Sequence, residues 1–518
     1  MLVLNGCLAE EAYPGGGSST EGTGGQTGAS GATSSSGGTG GATASSSTAG
    51  NGSGGGGPEA CDPSRGYLDT GCEGIFLNFA AAEGGDGTRE KPYKNWQTAI
   101  DEAVGEDKPL LACTGEEKVS TGVDILGPVT IWGGLDCGTW LEGNGEARSK
   151  LTGVPDMVPL TIKAETGKVV IHRVEVEAPD ATKLGGSSIA VIVEGAELYF
   201  HDGAMEAGNA MGGVDGAPAV SGAAGLPGSS GSPLGGCVSK GNPTKLLGGT
   251  AQTQTCGGMD TTGGKGGDST TTSGTGLATK GDDSGNAIPP DGIGGPPQES
   301  AGCQTGSDGS DGDEGPPGSG GTGLGTISVT GYIGADGKNG TDGTPGIGGG
   351  GGGASLGGAC STTQHRAGAT GGAGGTAGCG GGGGRGGTAG GSSIALLSVK
   401  STLSFAEVTL QSGNGANGGE GAPGQGGAPG SPGGKGGGDF GAGGDIAPAC
   451  DGGPGGSGGS GGKGGGGGGG HSIGIAFTGA EPPAEGRTIA IGIAGIGGLG
   501  ADQAGKGVKG VAAPTLQF

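Results

Sequence analysis

GGSSIAVIVEGAELYFHDGAMEAGNAMGGVDGAP, residues 185–218, and GGSSIALLSVKSTLSFAEVTLQSGNGANGGEGAP, residues 390–423, are two copies of one pattern. They align without a gap, 205 residues apart. Each opens as an apolar strand, turns, forms a second strand and ends in glycine repeats. Further apolar pairs extend the pattern. Val129/Ile131, Leu160/Ile162 and Ile189/Val191 recur at spacings of 31 and 29, and Val169, Ile171, Val174 and Val176 precede Leu198, Phe200, Gly203 and Met205 by 29. A fixed period of about 30 with inward alternation marks a solenoid, in which no repeat buries its apolar face alone. Burying one Val, Leu or Ile is worth roughly 1.5–3 kcal/mol, so several repeats must stack to offset ordering entropy. The expected fold class is all-β, a right-handed parallel β-helix. It resumes at Ile394/Leu396 and again at Ile473/Ile475 with Ile489, Ile491 and Ile493.

The rest of the chain has little to bury. Glycine supplies 148 of 518 residues and aromatics only 3%. Glycine loses the most conformational freedom on folding and has no side chain to place in a core. It occupies every third position in 306–321, 334–352, 372–390, 415–436 and 452–470. That period suits left-handed extended helices with three residues per turn and a rise of about 3.1 Å. A collagen triple helix needs proline at about 15–20% or more, and 28 prolines in the chain fall short of that. The insertions are expected to be either a polyglycine-type helix bundle or disordered. The domain reading is 1–7 signal remnant and lipobox, 8–60 disordered tether, and 61–212 N-terminal cap and β-helix coils. It continues with 213–390 glycine-rich insertion, 391–412 one coil, 413–470 second insertion, and 471–518 C-terminal coil or coils.

Charge and motifs exclude several functions. The net charge is −25, from 25 basic and 50 acidic residues, and nucleic-acid binding needs clustered Lys or Arg. No phosphate-cradling GxxxxGK[ST] is present, and the four histidines make neither HExxH nor a spaced Cys/His set. No cofactor is expected beyond Ca²⁺, for which Asp308, Asp311 and Asp313 are weak ligand candidates; solvated carboxylates are the competing reading. His201, Asp202 and Glu206 come nearest to a polysaccharide-cleaving face. Their counterparts in the second copy are Ala406, Glu407 and Gln411, so no catalytic residue is assigned and no enzyme is expected. Eleven cysteines are present. Cys61 and Cys72 can close a small loop, and Cys113 and Cys137 flank one early coil. Pairing among Cys237, Cys256, Cys303, Cys360, Cys379 and Cys450 stays open.

Leu4-Asn5-Gly6-Cys7 resembles the lipobox of bacterial lipoproteins, with Cys7 as the lipidated residue. Residues 9–58 are mostly Gly, Ser, Thr and Ala, a tether reaching roughly 40 Å on average. GDGTREKPYKNWQTAIDEA from Gly85 and GGLDCGTW from Gly133 resemble the entry segment of secreted pectin-lyase-like β-helix proteins. Trp96, Ile100 and Val104 there recur at helical spacing and would cover an open core end. Together these stretches resemble the glycine-rich, PGRS-type surface lipoproteins of myxobacteria. The resemblance implies a place rather than a reaction: lipid-anchored at the outer surface of the cell envelope, or secreted. The expected function is a non-catalytic structural or adhesive lipoprotein. Its partners would be the membrane, through the anchor, and cell-surface or extracellular polysaccharide, with no nucleic acid. A polysaccharide lyase or hydrolase is the first alternative, and an ice- or surface-binding protein the second.

Overall fold

The computed structural model describes residues 61–68, 71–143, 147–272, 275–299, 302–438 and 447–518. The lipidation candidate Cys7 and the tether lie outside the described residues.

Three six-stranded parallel sheets carry the apolar residues. Sheet one runs Ile75–Leu77, Leu110–Cys113, Val129–Leu135, Lys168–His172, Glu197–His201 and Thr402–Ala406. Sheet two runs Val123–Ile125, Leu160–Lys163, Ser188–Glu194, Ser393–Val399, Ser472–Thr478 and Ala512–Gln517. Sheet three runs Gly115–Lys118, Ser149–Thr152, Val174–Ala178, Ala204–Ala207, Val408–Ser412 and Arg487–Ala490. Alternation within the strands sends residues such as Ile131, Ile171, Leu198 and Phe200 into one shared core, all buried. The helix Trp96–Glu106, capped by the Asn95 side chain accepting from the Thr98 N–H at 3.0 Å, buries Trp96 and Ile100 in that core.

The two sequence copies pair in register. Ile189 faces Ile394, Leu198 faces Leu403, and Phe200 faces Phe405. One inferred ladder is wrong in detail. Val129 and Ile131 belong to sheet one, opposite Val169 and Ile171, whereas Leu160 belongs to sheet two, opposite Val123 and Val191. Apolar alternation looks the same in every sheet, so spacing alone assigned these strands to the wrong neighbours.

The expected fold class also needs correction. The described residues form strands in several parallel sheets with few helices, and no closed solenoid is identified among them. Between Ala207 and Ser393, and between Ser412 and Ser472, the chain leaves the three sheets; the small antiparallel sheets formed there join none of them. The period of about 30 therefore governs only part of the chain.

Nor are the described parts of the insertions without order. Gly375, Gly378, Gly381, Gly384, Gly387 and Gly390 donate their N–H groups to Gly453, Gly456, Gly459, Gly462, Gly465 and Gly468, at 2.9–3.0 Å. Thr376, Cys379, Arg385 and Thr388, each one residue further on than a glycine of that row, donate to Leu226, Ala223, Ala217 and Val214. Gly371, Gly374 and Ala377 donate in a third direction, to Gly267, Gly264 and Thr261. Three donor directions repeating every three residues are the geometry of an extended helix with three residues per turn. Each bond contributes about 1 kcal/mol net, and the array repeats it many times.

Backbones this close leave no room for a side chain. A Cβ on Gly381 would overlap the Gln425 carbonyl oxygen, whereas one on Gly426 would meet nothing. Gly381→Ala should lower stability by about 1–3 kcal/mol, read as a fall in thermal midpoint, and Gly426→Ala should leave the midpoint unchanged. Equal midpoints for the two variants would contradict the packing described.

Candidate functional site

The polar residues nearest to a site lie where sheets one and three meet. His172 and His201 occupy paired positions on adjacent strands, and Trp132 pairs with His172. Alternation turns all three outward, opposite to Ile171 and Phe200. Their rings stack: Trp132 on His172 at 4.0 Å and 7°, His172 on His201 at 4.9 Å and 30°. Tyr199 extends the row, with Lys168 over its ring at 4.8 Å. Burial pushes the His172 pKa down to about 4, helped by His201. Burial also lowers that of His201.

Each strand then turns through a residue in the left-handed region, Arg173 at φ 53° and Asp202 at φ 44°. This corner gathers charges. Asp202 meets Arg173 Nε at 3.2 Å through Oδ2 and Arg148 Nη2 at 3.2 Å through Oδ1. The Asp202 main-chain carbonyl accepts a further bond from Arg148 Nε. Past the corner, Lys150 Nζ lies 2.7 Å from Glu175 and 2.5 Å from Glu177. Burial opposes the charge on Lys150, but hydrogen bonds to both carboxylates outweigh it and hold the ammonium protonated. Glu206, beside Glu177 in the sheet, is raised by burial and by the neighbouring Glu175.

The structure thus places His201 and Asp202 at the corner and Glu206 past it, on sheet three. Asp202 is engaged by two guanidinium groups there, and His201 by ring stacking. A carboxylate so held is an orienting group for arginines rather than a partner for an imidazole. The stack and the ion pairs together make a rigid, charged and aromatic face.

The weak calcium candidates are not brought together. Asp311 Oδ1 accepts the Ser457 N–H at 2.7 Å, and the Asp313 N–H donates to Thr344 Oγ1 at 2.7 Å. Asp308 offers its main-chain carbonyl to Gly292. Among the described residues no group of three His, Cys, Asp or Glu is placed to hold a metal ion. Cys61 is bonded to Cys72 and Cys113 to Cys137. The remaining bridges, Cys237–Cys360, Cys256–Cys379 and Cys303–Cys450, tie together the glycine-rich part.

A row of capping side chains escaped the sequence reading. Asp336, Asn339 and Asp342 accept the N–H groups of Ala389, Gly386 and Gly383 at 2.7–2.9 Å. A second row crosses from sheet three into the glycine-rich part. Asp180 Oδ1 accepts from Asn209, Asn209 Oδ1 from Asn414, and Asn414 Oδ1 from Ile493. For the first row, Asp and Asn at every third position among the glycines was the available signal.

No family model matches the chain, and no curated protein matches it. Among solved structures, a rhamnogalacturonan lyase is matched at 13% identity and a TM-score of 0.14. That match covers 27% of this chain and 39% of the lyase chain. The chain thus spans about two-fifths of that structure's length, and a likeness this slight carries no argument.

His172 gives a pH prediction. Its folded-state pKa, about 4, lies below its ordinary value of 6.5. Unfolded chains therefore take up the proton first, and stability falls as pH drops from about 6.5 towards 4. Denaturant midpoints measured across that range should fall more in the natural protein than in His172→Gln. Parallel midpoint curves would refute the assignment.

Proposed function

We propose that this chain is a non-catalytic structural or adhesive protein of the cell envelope, anchored by lipid at Cys7 and displaying its sheets and glycine-rich array outward. The observation that supports this most is covalent. All ten cysteines from Cys61 to Cys450 are paired in five disulfides, which fits an extracellular or secreted protein. Cys7 is the remaining cysteine of the eleven, which suits a separate, modified role. Among the described residues no helix is long and apolar enough to cross a membrane, so attachment through Cys7 is the route this reading requires.

The adhesive part of the proposal draws on the corner of sheets one and three. The outward edges of the stacked Trp132, His172 and His201 give apolar ring surface, and Arg148 and Lys150, held by Asp202, Glu175 and Glu177, give ordered charge. Extracellular polysaccharide is the partner class such a surface suits, through apolar contact and hydrogen bonding. Glu206, with its pKa raised by burial, supports a test of the alternative, a polysaccharide lyase or hydrolase: incubation with uronate polymers should release neither unsaturated ends nor new reducing ends, and the appearance of either would replace the present reading with that one.

Location is tested on intact cells of a bacterial host carrying the full chain. Surface labelling should detect the natural protein on the cells, while Cys7→Ala should move the label to the medium. Equal retention of both forms on the cells would remove the anchor from the proposal.

A further inference from the structure

His471 stands apart from every role described above. Its side chain is buried, the whole residue being 2% exposed, at the junction of three segments. Both ring nitrogens are occupied. Nε2 donates to the Leu324 carbonyl at 2.8 Å, and Nδ1 accepts the Val511 N–H at 2.8 Å. Those two bonds fix one neutral tautomer, because Nδ1 must keep its lone pair to receive an N–H. Val511 immediately precedes the strand Ala512–Gln517, which closes the edge of sheet two against Ser472–Thr478. Pro514 within that strand has no N–H, as suits a terminal strand.

We propose that His471 is a proton-operated latch, which holds the strand Ala512–Gln517 on sheet two when neutral and releases it when protonated. An imidazolium carries a hydrogen on both nitrogens. It therefore turns an N–H towards the Val511 N–H, and the acceptor that held the start of the strand becomes a second donor. A buried donor facing a donor is costly to both groups. The ring can relieve the clash only by moving out, and the strand moves with it. Release uncovers the edge of Ser472–Thr478, where Ile473 and Ile475 are fully buried.

Nothing charged compensates the proton. Tyr332 packs edge-on to the ring at 5.3 Å, and Phe518 does so at 5.8 Å. Tyr332 is the one titratable side chain of the two, and burial raises its pKa further. The strand Ala512–Gln517 and its partner Ser472–Thr478 contain no titratable side chain. Nor does Ser393–Val399, the next strand of the sheet, and the Ser392 hydroxyl ahead of it accepts the main-chain N–H of His471. Leu324 contributes only its carbonyl, and Lys509, two residues before Val511, is exposed. Burial accordingly lowers the His471 pKa, with the Leu324 bond acting the other way. The closed form resists the proton and the open form takes it near the ordinary value of 6.5. Opening is therefore favoured as pH falls below that value, by up to tenfold per pH unit for one proton.

Hydrogen exchange of the intact, oxidised chain between pH 7.5 and 4.5, corrected for intrinsic rates, tests this. The amides of Val511, which donates to His471, and of Phe518, which donates to the Phe477 carbonyl, should lose protection as pH falls, approaching tenfold per unit, while those of Ile394 and Leu396 keep theirs. His471→Gln should flatten the pH dependence at Val511 and Phe518. Should that variant fail to fold, the imidazole ¹⁵N signals of the natural protein decide instead, since His471 must become protonated over the range in which the strand opens. Protection that does not vary with pH, or that falls while His471 stays neutral, would overturn the latch.

Discussion

The close approach of one peptide backbone to another is the constraint on which the glycine-rich part depends. A hydrogen bond of 2.8–3.0 Å between neighbouring segments of this kind forms only where no Cβ stands in the way. Segment 370–391 meets that condition on several sides at once, with 211–232, 261–267, 334–352, 415–437 and 451–470 as its partners. The folding entropy of glycine, which makes it a poor core residue, is opposed here by a dense set of modest bonds. Cohesion that the sheets obtain from apolar burial is obtained in this part from the backbone itself.

The same constraint says where glycine is not needed. In segment 334–352, positions 348 and 351 are glycine because a Cβ there would collide with the Thr262 and Lys265 carbonyls. Twelve residues earlier on the same three-residue phase, at 336 and 339, the positions are exposed, and Asp336 and Asn339 replace glycine. Their side-chain oxygens take the N–H groups of Ala389 and Gly386, just as Gly264 and Gly267 take those of Gly374 and Gly371. A side-chain amide or carboxylate thus substitutes for an absent peptide carbonyl, and the donors at the margin are satisfied as those in the interior are.

How far this was legible depends on which residues carry the signal. The pairing of Ile189 with Ile394 could be read because both copies open with the same Gly-Gly-Ser-Ser-Ile-Ala and continue apolar for two more residues. The placement of Val129 could not, since a two-residue alternation is common to all three sheets and nothing local names the sheet. The corner ion pairs of Asp202 depend on Arg148 and Arg173, at other turns of the chain, and no spacing rule links them. His471 follows a run of seven glycines and reads as an isolated residue; only the fold shows that its two nitrogens meet residues 324 and 511. The order of the insertions was partly visible in the glycine period, but a period gives a conformation and not its neighbours.

Several of the chain's aspartates are understood from the same geometry. Carboxylates spaced by three residues invite a reading as cation ligands, because spaced oxygens are what Ca²⁺ requires. Here Asp336, Asp342, Asp311 and Asp215 each give an oxygen to a backbone N–H of a different segment. The extended segments that space these side chains also keep them from converging on one point, for successive residues of a phase lie about 9 Å apart at 3.1 Å per residue. Acceptor oxygens at that separation can each satisfy one donor, and they are too far apart to share an ion. Part of the negative charge therefore serves to cap the margins of the array, with Asn339 and Asn414 doing the same work without charge.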